Sequence, residues 1–327
     1  MSASSLSSAS WRQMALITAG AAILLVALRF LPSGPHLTHM DFISGGPEAL
    51  EFCDSRNPKF LPVVARSSPV TMTLDSEMPL TAGGTENLTL VLRTVTGKPI
   101  GPDDLLPTAT HPINLLAVDP RLLDFQAFPA VPGSRPGEWR FTFTPRRIGL
   151  YRIFADFTPA ATGREMYASA EVLVTGMERM DPNEAPEASA LDRLVGRPGA
   201  SGAMRSSWKN TWVAEREGCR FTLQPPAQPI RAREPFELKF TAERRDGGPV
   251  ALQPLDGALV SLVAFDENRT GFVSLRASAT EGAAAAGPSP ALVFTVTIPD
   301  PGRYALWSRL SLDGREITAP FRLTVMP

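Results

Sequence analysis

The sequence contains nearly the same stretch twice, and this repeat decides the fold. The first copy reads NLLAVD (114–119), WRFTFTP (139–145) and GLYRIFAD (149–156). The second copy reads VSLVAFD (260–266), LVFTVTIP (292–299) and GRYALWS (302–308). A repeat of this length predicts two copies of one domain rather than a solenoid of small units. The 327 residues leave room for two domains of about 100–150 residues, each with its own core.

Both copies alternate apolar and polar residues with the period of a β-strand. Trp139, Phe141 and Phe143 fall on one face, with polar residues between them. In the next strand, Asp156 falls on the face opposite Tyr151, and we expect its side chain to be solvated. The 32 prolines and 25 glycines suit short strands joined by turns and break long helices.

The predicted fold class is all-β: two immunoglobulin-like antiparallel β-sandwiches in tandem behind one N-terminal transmembrane helix. The run 113–118, apolar except for Asn114, is consistent with a buried central strand. Tyr151 and Tyr304 follow a glycine at matched positions. We expect both to be buried with hydroxyls bonded to nearby backbone, as in a tyrosine corner.

Composition shifts along the chain predict the domain boundaries. Segments rich in proline, glycine and serine, without periodicity, separate the two alternating regions. The expected order is an N-terminal tail (1–13), a transmembrane anchor or signal (14–31), a membrane-proximal stem (32–68), sandwich domain 1 (69–176), a linker (177–219) and sandwich domain 2 (220–327).

The apolar run near the N-terminus predicts export. Residues 14–31 are apolar except for Arg29 and polar Thr18, and Pro32 follows. At 1.5 Å per residue, an 18-residue helix reaches about 27 Å, just enough to span a bilayer. A cleaved signal peptide and a mis-assigned start remain alternatives to an uncleaved anchor. The anchor and signal interpretations both place the domains outside the cytoplasm.

Charge and motifs exclude several function classes. The 32 basic and 33 acidic residues give a net charge of −1, with no basic footprint for nucleic acid. The sequence has no GxSxG elbow, P-loop, GxGxxG or HExxH motif, and we predict no enzyme activity and no cofactor. Asp103 and Asp104 are expected to cap turn amides, and Asp119 and Asp266 to form matched Asx-type turns at strand ends.

The stem and the two cysteines offer candidate ligands. Two imidazoles and a thioether, as in His36, His39 and Met40, are able to hold copper, but a specific site needs three or four converging ligands. A solvated stem is the alternative. Cys53 and Cys219 are compatible with one disulfide, with two free buried thiols or with a ligand role.

The repeat core resembles the YtkA-like family of periplasmic immunoglobulin-like domains. The similarity lies in NLLAVDP (114–120), DFQAFP (124–129), GEWRF (137–141) and GLYRIFADF (149–157), and it is fainter in the second copy. The resemblance implies the sandwich fold and a metal-binding histidine cluster. This chain departs from that cluster, with Asn114, Ala127 and Pro129 in the first copy and Ser274 and Arg276 in the second.

Two functions remain compatible with these observations. The first is a non-catalytic binding or scaffold protein, tethered to the inner (cytoplasmic) membrane by one helix, with both domains in the periplasm or extracytoplasmic space. It would present sandwich edges and loops to an envelope protein partner. The second is an accessory protein that handles copper or another metal through the stem residues His36, His39 and Met40.

Overall fold

The computed structural model describes residues 8–29, 37–42, 60, 68–76, 78–107, 111–176, 208–277 and 291–327. The chain divides into two compact units, residues 1–37 and residues 38–327. The larger unit holds both β-sandwich domains, and the all-β class predicted from the sequence is confirmed for it.

In the N-terminal unit, residues 8–29 form the α-helix α1, at Ser8–Arg29. The first turn of α1 holds no acidic residue, and most of the predicted apolar run 14–31 lies within this helix. Within the residues that the structure describes, no helix is both long enough and apolar enough to cross a membrane.

The described residues of the first sandwich form ten strands. They are β1 (Val70–Ser76), β2 (Leu80–Thr81), β3 (Glu86–Thr94), β4 (Leu105–Leu106), β5 (Ile113–Val118), β6 (Phe125–Pro129), β7 (Val131–Pro132), β8 (Glu138–Phe143), β9 (Gly149–Pro159) and β10 (Met166–Thr175). One sheet has the order β1-β3-β8-β7, and the other has the order β2-β10-β9-β5-β6, with β4 also paired to β9. All pairs are antiparallel except β2 with β10.

In the second sandwich, the part of the chain that the structure describes forms nine strands with the same plan. They are β11 (Val213–Arg216), β12 (Cys219–Gln224), β13 (Pro235–Arg244), β14 (Leu252–Gln253), β15 (Val260–Asp266), β16 (Phe272–Ala277), β17 (Ala291–Thr297), β18 (Gly302–Leu312) and β19 (Arg315–Val325). One sheet has the order β11-β12-β13-β17. In the other sheet, β18 lies between β19 and β15, and β15 also pairs with β16. Because β11 lies within the range predicted as linker, the second sandwich begins before residue 220.

The predicted inward faces form the two cores. Trp139, Phe141 and Phe143 are buried on β8, and the Phe143 ring packs against Tyr151 of the other sheet with centroids 5.3 Å apart. Both matched tyrosines are buried, as predicted. The Tyr151 hydroxyl accepts a hydrogen bond from the Arg147 backbone N–H at 3.1 Å, and the Tyr304 hydroxyl donates one to the Asp300 carbonyl at 2.9 Å.

Matched aspartates end the central strands β5 and β15. The Asp119 carboxylate accepts backbone N–H bonds from the residues two, four and five positions further on, and Asp266 does the same. Leu122 and Arg269, three residues after each aspartate, both adopt positive φ values, 57° and 54°. The two loops therefore share one backbone conformation, and the Asx-turn prediction is confirmed.

Two described residues of the predicted stem, Asp41 and Phe60, pack against the sandwiches. Asp41, in a short 3-10 helix at His39–Phe42, is buried and lies 2.5 Å from the Lys98 ammonium of the first sandwich. Phe60 is 6% exposed, and its ring meets Tyr304 of the second sandwich edge-on at 5.6 Å. Its backbone N–H donates to the Thr297 carbonyl at the end of β17. The stem therefore contributes to both sandwich surfaces.

Candidate functional site

The two sandwiches pack against each other through the outer faces of equivalent strands. Outer-face residues of β5, β6 and β9 meet those of β15, β16 and β18 in one buried apolar cluster. We call this cluster the shared face; its buried members are Leu116, Val118, Leu122, Phe125, Phe154, Tyr167, Val263, Phe265, Phe272, Ala305 and Trp307. The central strand β5 is buried on both faces, as its largely apolar sequence predicted.

The shared face has approximate two-fold symmetry, because equivalent repeat positions contact each other reciprocally. Phe125 of the first repeat stacks on Trp307 of the second, with ring centroids 5.1 Å apart. The equivalents of these residues, Phe272 and Phe154, meet edge-on at 5.3 Å. A reciprocal contact of this kind is the pattern of a symmetric dimer interface, here formed within one chain.

One end of the shared face is held by two arginines. The Arg152 guanidinium donates to the Arg269 carbonyl at 2.6 Å, and the Arg269 guanidinium donates to the Leu150 carbonyl at 2.7 Å. Arg152 also pairs with Glu171 on the neighbouring strand β10. Burial, followed by the Arg152 charge, lowers the pKa of Arg269. Each of the two guanidinium groups therefore donates a hydrogen bond to a backbone carbonyl of the other domain.

The other end of the shared face holds a buried carboxylate. The prediction that Asp156 is solvated is wrong. Asp156 is 5% exposed, because the second sandwich covers the outer face of β9. Its Oδ2 lies 3.5 Å from the Arg276 guanidinium of β16. Its Oδ1 has no hydrogen-bond partner among the residues that the structure describes. Burial, followed by repulsion from Glu165, raises the pKa of Asp156 to about 7, against the attraction of Arg276.

The strands of the shared face carry the positions that the resemblance to the YtkA-like family singled out, namely Asn114, Ala127, Pro129, Ser274 and Arg276. Asn114 of β5 pairs with Pro129 of β6 on one side and with Asp156 of β9 on the other. Ala127 packs against the apolar cluster. In the second repeat, Arg276 supplies the ion pair to Asp156. Ala127 and Arg276 therefore contribute to the contact between the domains.

Ser274 lies on the same strand, two residues before Arg276, and pairs with Val263 of β15.

Sequence reasoning missed this interface. A usable signal was present in the apolar outer positions of the central strands, since a solvated outer face is polar.

The candidate metal ligands are divided between described and undescribed segments. His39 and Met40 are exposed in the short helix His39–Phe42, and His36 lies outside the described residues. No group of three or more His, Cys, Asp or Glu side chains able to hold a metal occurs in the described part of the chain. Copper binding by the stem stays a prediction.

The cysteines are divided in the same way. Cys219 is buried in the core of the second sandwich and forms no disulfide with any residue that the structure describes; burial raises the pKa of its thiol. Cys53 lies outside the described segments, so the disulfide stays a prediction.

A groove of about 560 Å³ opens on the second sandwich, on the sheet that faces away from the first. Its rim is the proline-rich segment 224–231, and its floor is formed by β13 and Val293 of β17. Lys239 and Glu237 contribute opposite charges to the floor. Val293 is 57% exposed on the edge strand of the sheet. The groove therefore combines the backbone edge of a β-sheet, an apolar surface and side chains of opposite charge.

A family model matches the second sandwich. It is a domain of unknown function, DUF8832, and it covers residues 214–327. A comparison with curated protein sequences finds no match to this chain. The similarity to the YtkA-like family stays a prediction from the residues quoted above.

Several solved structures resemble the chain at low sequence identity. The fibronectin(III)-like modules of Clostridium thermocellum CbhA match at 14% identity, covering 78% of this chain and 93% of that one, with a TM-score of 0.20. The native alpha-2-macroglobulin of E. coli matches at 11% identity, covering 78% of this chain and 17% of its own, with a TM-score of 0.23. The ICAM-5 D1–D4 ectodomain fragment matches at 14% identity, covering 78% and 53%, with a TM-score of 0.20.

Proposed function

We propose that this protein is a non-catalytic binding or scaffold protein of the cell envelope that presents two β-sandwich domains as one unit to an envelope protein partner. The shared face carries this proposal. Aromatic packing such as Phe125 on Trp307 fixes one domain against the other, so loops and edges of both keep a constant spacing. A fixed spacing reduces the ordering entropy that binding across two domains would otherwise cost.

The groove on the second sandwich is the surface that best suits a protein partner. Its sheet faces away from the first domain, and Val293 on the edge strand β17 is exposed beside it. An edge strand offers backbone donors and acceptors to an extended segment of another protein. The balanced charges of Lys239 and Glu237 favour a polar, uncharged or mixed-charge segment over nucleic acid.

The location proposed for this function is the outer surface of the cytoplasmic membrane. The support is the apolar run 14–31, followed by Pro32. Mass spectrometry of the N-terminus of the mature protein tests the anchor, and protease accessibility in intact spheroplasts tests on which side the domains lie. A mature N-terminus near residue 35 would replace the anchor with a cleaved signal.

Affinity capture from solubilised membranes with the full-length protein tests the binding role. We expect a double variant, Lys239→Glu with Val293→Asp, to lose the captured partner, because it changes both the charge and the apolar surface of the groove. Lys209→Glu is the matched control, since Lys209 is exposed and is not among the groove residues. Equal capture by both variants would exclude the groove, and absence of any saturable partner would exclude the binding role.

A further inference from the structure

Asp156 occupies a position that is buried only because the two sandwiches dock. It lies on β9 with its side chain on the outer face, the same face as Phe154 of the apolar cluster. In the sheet, Asp156 pairs with Asn114 of β5 on one side and Tyr167 of β10 on the other. The docked second sandwich covers it. In a first sandwich without its neighbour, this carboxyl would face water.

The charges around Asp156 do not fully compensate its burial. Arg276 of β16 is its cationic partner, at 3.5 Å, and the Arg276 side chain remains 36% exposed. Glu165 adds a second negative charge nearby and accepts a hydrogen bond from the Tyr167 hydroxyl at 2.7 Å. Asn114, on the neighbouring strand, is neutral. A buried carboxylate with one long ion pair and one unpartnered oxygen is costly to keep ionised.

We propose that docking of the two sandwiches is coupled to protonation of the Asp156 carboxyl, so that the domains dock more tightly in mildly acidic surroundings. A proton on Asp156 removes the unpaired charge and relieves the repulsion from Glu165. The apolar cluster and the hydrogen bonds of the two arginines at the opposite end of the shared face do not involve the Asp156 proton, so they hold the domains together whether or not Asp156 is protonated. The Asp156 carboxyl therefore adjusts the strength of docking.

The sign of the effect follows from the two pKa values of Asp156. In the docked protein, burial and then repulsion from Glu165 raise the pKa of Asp156 from an ordinary value of 3.8 to about 7. The docked state therefore binds the proton more tightly, and stability is present at acid pH and is lost as pH rises through about 7. With these two values, the docking equilibrium weakens by up to about 10²-fold between pH 5 and pH 8.

Thermal unfolding of the full-length protein between pH 5 and pH 8 tests this coupling. We expect the melting temperature of the wild-type protein to fall by about 5 °C more than that of Asp156→Asn, because the neutral amide has no proton to lose. Asp103→Asn is the control, since Asp103 is exposed, and its profile should match that of the wild type. Parallel profiles for wild type and Asp156→Asn would overturn the proposal.

A second variant keeps the test decisive if Asp156→Asn fails to fold. Glu165→Gln retains an acceptor for the Tyr167 hydroxyl and removes the repulsive charge. We expect the midpoint of the pH dependence to move to lower pH while the transition keeps its direction. Hydrogen exchange of the edge strand β16, corrected for intrinsic rates, should show the same midpoint, since β16 carries Arg276. An unmoved midpoint in both measurements would overturn the proposal.

Discussion

Removing the Trp307 side chain should destabilise both sandwiches at once. Trp307 is 3% exposed, and its ring lies 5.1 Å from Phe125 of the first domain and 5.8 Å from Phe265 of its own. A tryptophan of this burial removes about 150–250 Å² from water, which corresponds to about 4–6 kcal/mol at about 25 cal/mol per Å². Measured truncations of large aromatic residues give about 3–5 kcal/mol. We expect Trp307→Ala to lower the free energy of unfolding by about 3–5 kcal/mol.

Urea denaturation followed by circular dichroism measures this loss. Val293→Ala is the control within the same domain, because Val293 is 57% exposed, and we expect its effect to stay within about 0.5 kcal/mol. A double-mutant cycle with Phe125→Ala should report a coupling of about 0.5–1.5 kcal/mol across the shared face. If the sandwiches were independent, Trp307 would lie on an exposed outer face. An unchanged midpoint for Trp307→Ala would therefore refute the docked arrangement.

Three further predictions concern the stem and the core of the first sandwich. Phe60→Ala should destabilise the second sandwich by about 3 kcal/mol, and a chain beginning at residue 69 should lose as much; equal urea midpoints would contradict the packing of Phe60 on Tyr304. Tyr151→Ala should cost about 3–5 kcal/mol by the same assay, and a variant that melts like its parent would show that the core is assigned wrongly. Copper affinity of the full chain, measured by calorimetry, should disappear in the double variant His36→Ala with His39→Ala and persist in His111→Ala; the opposite result would locate the metal in the sandwich.

Much of the fold was predictable because the decisive interactions are local in each strand. Trp139, Phe141 and Phe143 alternate with polar residues, so their shared burial follows from the period of a β-strand. The turns at Asp119 and Asp266 follow from a carboxylate that bonds amides within five residues of itself. The repeat predicted two copies of one domain, and the second copy follows the strand plan of the first.

The candidate site was much less predictable from the sequence. Alternation shows that Asp156 and Tyr151 lie on opposite faces of β9, and it does not show what covers the face of Asp156. The contact with Arg276 joins residues far apart in the sequence, on different domains. Phe60 lies within the predicted membrane-proximal stem, and its burial depends on packing against Tyr304, which is far away in the sequence. Shape complementarity between two surfaces does not require a fixed spacing of residues along the chain, so a single sequence does not reveal it.

The sequence by itself determined the strands, the two inner cores and the turns, because these depend on residues that are neighbours along the chain or share one face of a strand. Only the tertiary structure decided that the two repeats dock through their outer faces, with Phe125 against Trp307 and Asp156 beside Arg276. The physical reason is that a strand's pattern records which side chains share a face, while burial of that face depends on the shape and charge of a partner surface. Here the partner surface is the chain's own second copy.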